Sequence, residues 1–168
     1  MILILSDTHL NIDNSDEITF IDLSKMKISG CTGCFGCWIK TPGKCVIRDD
    51  AVKIYPLIVK SDKLIYVSKI KYGSYDSIMK TMLERAIPVQ KAFIRIHCGE
   101  THHIQRKVAP KDARIIIYGH LSEHEKTVFE RLVARNALNM SFKEYKVKYS
   151  SETELEKTVN EEIAKWHI

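Results

Sequence analysis

Residues 30–50 read GCTGCFGCWIKTPGKCVIRDD. Four of the five cysteines fall here, Cys31, Cys34, Cys37 and Cys45, spaced C-x2-C-x2-C-x7-C, and the stretch runs into Asp49-Asp50 at what reads as a helix start. Three thiols at two-residue intervals plus a fourth have the form of ferredoxin-type ligation of a [4Fe–4S] cube. Gly30, Gly33, Gly36 and Gly43 suit a chain that must wrap closely around such a group. Zinc is a second reading, although its usual pattern is two C-x2-4-C pairs with a longer spacer. Unligated thiols packed as small hydrophobes in a tight loop are a third.

The rest of the chain supplies the frame. Its 168 residues suffice for one domain with its own core, taken as residues 1–168, and the 45% apolar and 28% charged fractions are those of ordinary globular proteins. No apolar run approaches membrane-spanning length, and Met1-Ile2-Leu3-Ile4-Leu5 lacks the basic lead and cleavage site of a signal peptide. A cytoplasmic protein is expected. The net charge of +5 is spread among acidic residues with no basic stripe, which argues against nucleic acid as a partner. An odd cysteine count, closely clustered, argues against a secreted disulfide framework.

Five strands are expected, at 2–5, 17–23, 64–68, 114–118 and 145–149. Lys146 and Lys148 alternate along the last, as on a sheet edge. Helical patterns lie between: one capped by Asp49 and carrying Pro56, one from Ser74 with Ile78, Met82 and Ala86 on one face, and two opened by the capping boxes Ser122/Glu125 and Ser151/Glu154. Strands alternating with helices mean an α/β parallel sheet. Two connections are unusual. About ten residues separate the first two strands, too few for a packed helix, and residues 87–112 show no clear periodicity.

The stretch CTGCFGCWIKTPGKCVIRDD resembles the corresponding segment of the NADPH-dependent FMN reductase and iron–sulfur flavoprotein families. Downstream, VSKIKYGSYDSIMKTMLERAIP is similar to their flavin loop, S-P-V-Y-F/W-G followed by a helix ending in D-R. With the pattern after Ala113, the resemblance covers nearly the whole chain. It implies a flavodoxin-like three-layer sandwich with a parallel five-stranded sheet, here with its first helix apparently missing. It also implies FMN, NAD(P)H as electron donor, and a [4Fe–4S] cluster on the four cysteines passing electrons to a small-molecule or protein acceptor. Ser68, Lys69, Ile70, Lys71, Tyr72 and Gly73 fall on the flavin loop, with Lys69 in place of the family's proline and Lys71 of its tyrosine. Tyr118, Gly119 and His120 fall on a second ring-contacting loop, and Ser6, Thr8 and His9 remain to meet the phosphate, while Asp7 would repel it. Without the first helix one sheet face is expected to lie bare, to be covered by a second subunit in a homodimer or higher homo-oligomer, or by residues 87–112. No side chain need act as acid or base.

Two other readings stay open. One is a flavodoxin-like chain without flavin, serving as a metal-binding or interaction module. The other follows from MILILSDTHLN, which resembles the start of calcineurin-like metallophosphoesterases: Asp7, His9 and His120 match their D-x-H and G-H, but the remaining ligand motifs are missing. Glu100, Thr101, His102, His103 and Arg106 form a polar cluster read as a solvated loop, with a nicotinamide or substrate site as the functional alternative. Trp38 and Trp166 read as packing residues, and Cys98 receives no role.

Overall fold

The computed structural model describes residues 1–166. The elements run β1 (Ile2–Ser6), β2 (Ile18–Asp22), α1 (Gly36–Ile39), α2 (Ala51–Lys60), β3 (Lys63–Lys71), β4 (Ser74–Tyr75), α3 (Ser77–Arg85), β5 (Gln90–His97), β6 (Glu100–Gln105), β7 (Lys111–Tyr118), α4 (Glu123–Met140), β8 (Phe142–Ser150) and α5 (Leu155–Ala164). Five strands form a parallel sheet in the order β2-β1-β3-β7-β8, with the two-residue β4 folded back on β3. The expected α/β sandwich is therefore present. The order reverses at β1, so the loops leaving β1 and β3 diverge there and open a crevice at the carboxyl edge.

The unbroken apolar runs of the central strands are explained by burial on both faces. Leu3, Leu5, Leu64, Tyr66, Ile115 and Ile117 pack against Ile54 and Ile58 of α2, Met79 and Met82 of α3, and Phe129 and Val133 of α4. Ile2, Ile4, Ile65, Val67 and Ile116 face Leu155, Val159 and Ile163 of α5. Ser122 and Glu125 close the expected capping box on α4. Ser151 accepts from the Glu154 N–H, but the turn it caps is a single 3-10 turn ahead of α5.

Four expectations change. The third helix starts at Ser77, not Ser74, and buries Met79 and Met82 while Ile78 stays 38% exposed. The shift arises because Tyr72 and Gly73 both adopt positive φ, which turns the chain tightly and returns Ser74-Tyr75 to β3 before the helix can begin. Residues 87–112 are not structureless: β5 and β6 pair as an antiparallel hairpin around a Cys98-Gly99 turn, also at positive φ. Nor does this hairpin cover the sheet face beside the shortened crossover. It packs beside α4, where His102 Nδ1 lies 2.9 Å from Asn139 Oδ1 and Arg135 pairs with Glu100. His102 is thus buried, not part of a solvated loop.

The face in question is sealed by α5 together with Leu10, a fully packed residue of the loop that replaces the first helix. Ile12, Ile18 and Phe20 extend the seal half-buried. Leu10→Ala should therefore cost about 2–4 kcal/mol in urea unfolding, as for a core leucine. A cost under about 1 kcal/mol would show that the loop does not close this face.

Candidate functional site

At the carboxyl edge, where β1, β3 and β7 end side by side, the centre is Asp7. Its carboxylate accepts from Ser68 Oγ (2.7 Å), the Lys69 N–H (2.9 Å) and Tyr118 Oη (2.9 Å). Burial pushes the Asp7 carboxyl above its ordinary range, and these three hydrogen bonds pull only partly back. Ser6 is spent locally, donating to the Thr8 carbonyl and accepting the Thr8 N–H. His9 keeps its place at this edge, its Nδ1 3.2 Å from Asp22 Oδ2. Burial opposes ionisation of Asp22, but Ser24, Lys25 and His9 together hold its carboxyl below the usual range.

A concavity of about 470 Å³ lies over this edge, lined by Thr8, His9, Leu10, Lys69 and Tyr118 and, from the segment after β8, by Glu152, Thr153, Leu155 and Glu156. Lys69 reaches across it to Glu152 at 3.1 Å and lies over the Tyr118 ring at 6.0 Å. Gly119, at φ 101, sits so close that a Cβ there would meet the Lys69 stem at 3.4 Å. The edge thus brings together Ser6, Thr8, His9, Ser68, Lys69, Tyr118 and Gly119. The other expected residues fall elsewhere. Ile70 is buried in the core, Lys71 is exposed, Tyr72 stands 88% exposed at the turn, and Gly73 packs against Val128 of α4. His120 is exposed beyond the strand end.

The FMN reading can be tested on these groups. The ring-facing part fits: two strand ends and their following backbone border an open concavity beside an aromatic side chain. The phosphate-facing part does not. No helix follows β1, so no N-terminal cluster of amides is presented. The nearby amides are already taken by the chain's own carboxylates, Lys69 N–H by Asp7 and Asn11 N–H by Glu156 Oε1 at 2.8 Å. A phosphate would also face Glu152 and Glu156 against one lysine.

The cysteine stretch, between β2 and α2, forms its own site. Cys31, Cys34, Cys37 and Cys45 line one hollow of about 80 Å³, with Val46, Ile47 and Ile87 as apolar wall and no carboxylate among the lining. Gly36 is required there, since a Cβ would come within 2.8 Å of Val46. Hydrogen bonding from the Gly36 N–H draws the Cys34 thiol down from its ordinary range, whereas burial, then the neighbouring Cys45, pushes Cys37 up. Among the described residues no three His, Cys, Asp or Glu side chains converge to hold a single metal ion. That counts against tetrahedral zinc on these thiols and against a two-metal phosphoesterase built from Asp7, His9 and His120. A four-iron cube takes one thiolate at each of four separated corners, so a shared hollow suits it better than a shared point.

Arg85 fastens this loop to the fold; the resemblance put it at the D-R helix end but gave it no role. Only 1% of its side chain is exposed, and it donates to both oxygens of Asp49 (2.6 and 2.9 Å), to the carbonyls of Ser29 and Ile47, and toward Cys45 Sγ at 3.5 Å. Burial works against ionised Asp49, yet Arg85 and the Ser29 and Ala51 amides hold its carboxyl below the usual range. The Glu152 and Glu156 lining was also missed, because it arrives from the far end of the chain.

Comparison with known proteins places this geometry. Solved structures with the same fold include an FMN-dependent NADH-azoreductase from Bacillus anthracis bound to FMN (TM-score 0.56, 11% identity, 96% of this chain and 94% of that one) and the azoreductase AzrA (TM-score 0.62, 10% identity, 96% and 92%). The fold is flavodoxin-like. In sequence, the chain is 37% identical over 78 residues to an iron–sulfur flavoprotein of Archaeoglobus fulgidus, covering 46% of this chain and 34% of that protein. It is 35% identical over 71 residues to one of Clostridioides difficile, covering 42% and 31%. Over those segments the chain is similar to iron–sulfur flavoproteins, and it spans about a third of the length of the curated relatives it matches. No family model matches it.

The fixed carboxylate gives a signed pH effect. Because the Asp7 pKa is raised on folding, its contribution to stability is present at low pH and is lost as pH rises through the folded value. The stability of Asp7→Asn relative to wild type should therefore be more favourable at pH 7 than at pH 4. Urea unfolding of both proteins at the two pH values checks this, and an unchanged or inverted difference would contradict it.

Proposed function

We propose that the protein is an FMN-linked NAD(P)H oxidoreductase, of the flavin or quinone reductase or iron–sulfur flavoprotein kind, which holds flavin by its ring more than by its phosphate. The observation that carries this reading is the open concavity lined by Thr8, Lys69 and Tyr118 at the topological switch point. The FMN-dependent azoreductase among the structural neighbours and the iron–sulfur flavoproteins among the sequence relatives support the same class. Bound flavin supplies hydride and single-electron chemistry, and the chain positions it and sets its surroundings. Lys69 lines the concavity beside the Tyr118 ring, its ammonium paired with Glu152. Cys31, Cys34, Cys37 and Cys45 would hold a [4Fe–4S] cluster that supplies one-electron transfer to a small-molecule or protein acceptor.

A second reading, a module without flavin built around the cysteine hollow, is favoured by one observation: Asp7 and Glu156 occupy the amides that a phosphate would use. Titration of the purified protein separates the two. If the ring carries the binding, FMN and riboflavin should have Kd values within about threefold of each other, with flavin absorbance bleached by NADPH. FMN binding about a hundredfold tighter than riboflavin would overturn the weak-phosphate reading, and no binding of either at about 1 mM would favour the module. Iron and sulfide analysis of the same preparation, made anaerobically, should find roughly four irons per chain; no iron removes the cluster.

All five cysteines are free, which fits a reducing cytoplasmic setting, and no described helix is long and apolar enough to cross a membrane. The hairpin strand β5 exposes Phe93 (71%), Ile94 (62%) and Ile96 (75%), an apolar strip that we assign to a homodimer or higher homo-oligomer contact. Sedimentation should show an oligomer at micromolar concentration that Phe93→Ser with Ile96→Ser dissociates, and a monomeric wild type would refute the assignment.

A further inference from the structure

A second cleft lies away from the flavin edge and shares no lining residue with it. It runs between α3 and α4 down to β3, has a volume of about 370 Å³, and is walled by Leu83, Leu132, Met140 and Phe142. Two residues that line it carry buried polar atoms with no hydrogen-bond partner: Tyr66 Oη, on a side chain buried within the sheet core, and His103 Nδ1, on the hairpin. Neither orphan is forced by its surroundings. The neighbouring Tyr75 hydroxyl is met by Asn136, and His102 next along the hairpin is bonded on both ring nitrogens. A buried hydroxyl left unmade costs about 1–3 kcal/mol, so two on one cleft call for a partner.

We propose that the cleft between α3 and α4 binds a small, mostly apolar ring compound carrying an acceptor oxygen, which takes a hydrogen bond from Tyr66 Oη. The volume is at the low end of the roughly 300–1,000 Å³ of ligand sites, enough for one or two fused rings and too small for a dinucleotide. The walls are aliphatic and aromatic, with Lys80 as the only cation lining the cleft, so an anionic phosphate is not the expected group. The Tyr66 hydroxyl stays protonated in its buried setting, so its unpartnered O–H is free to donate to an acceptor oxygen. The site adjoins the cysteine loop: Ile87 lines both the cleft and the thiol hollow, and the His103 ring stands 4.7 Å from that of Trp38. The inference does not rest on flavin or cluster binding.

The probe pair 1-indanone and indane, equal in shape and differing in one carbonyl, tests it by two-dimensional amide NMR on the full chain. Indanone should shift resonances around Tyr66, Leu132 and Asn136 and bind about tenfold more tightly than indane. Tyr66→Phe should erase that preference without lowering the melting temperature, because it removes an unpartnered hydroxyl. Leu132→Trp, which fills the cleft from α4, should abolish binding of both probes while leaving distant resonances in place. Equal affinity for the two probes, a preference that survives in Tyr66→Phe, or shifts confined to the carboxyl edge would overturn the proposal.

Discussion

The organisation of the cysteine stretch depends on one buried guanidinium. Residues 30–48 contain only a four-residue helix and bury little apolar surface of their own, so they cannot hold a shape by packing. Arg85 substitutes for a core. It projects from the end of α3 and gathers the carbonyls of Ser29 and Ile47, on either side of the loop, onto a bidentate pair with Asp49 at the start of α2. Arginine suits this role where lysine would not, since its planar fork can serve several acceptors in fixed directions. The desolvation cost is met because the charge is paired and bonded, leaving only Nε without a partner.

A comparable substitution shapes the other end of the sheet. A doubly wound protein ordinarily leaves amides at the first loop for a ligand's phosphate. Here Asp7, an internal anion, occupies the same kind of position and ties three strand ends together through Ser68, Lys69 and Tyr118. The arrangement closes the edge without a helix and at the same time removes the grip that a phosphate requires. The edge therefore keeps an open concavity while its nearest amides are already bonded to the chain's own carboxylates.

The central strands were legible because burial on both faces leaves unbroken apolar runs, and α4 because its capping box is local. The hairpin was harder to read for a physical reason. Its alternation through Phe93, Ile94, Ile96 and the Cys98-Gly99 turn is a strand signal, but the apolar side chains point to solvent, so the pattern does not mark a core face. The hub at Asp7 was invisible, since its partners lie 61 and 111 residues away and no local spacing encodes them. Arg85 was hidden by its own chemistry: a charged residue late in an amphipathic helix reads as solvent-facing until the carboxylate across from it is known. The cysteine spacing marked the hollow, while the helix phase of α3 was displaced by a turn whose positive φ at Tyr72, a non-glycine residue, no pattern foretells.

The shortened first crossover also bears on how the chain finds its fold. Parallel strands usually meet only after a whole helix has been threaded between them, which makes such sheets slow to form. Here Ile2 pairs with Ile18, sixteen residues on, whereas the next pairing of the same strand, Ile2 with Lys63, spans 61. Closing the shorter loop spares two doublings of length, about 1 kcal/mol of chain entropy. The β1–β2 pair, ordinarily a late and distant contact, becomes the most local parallel pairing in the sheet. Loss of a helix at the ligand edge thereby gives the chain a compact starting point from which the remaining strands can be added in sequence order.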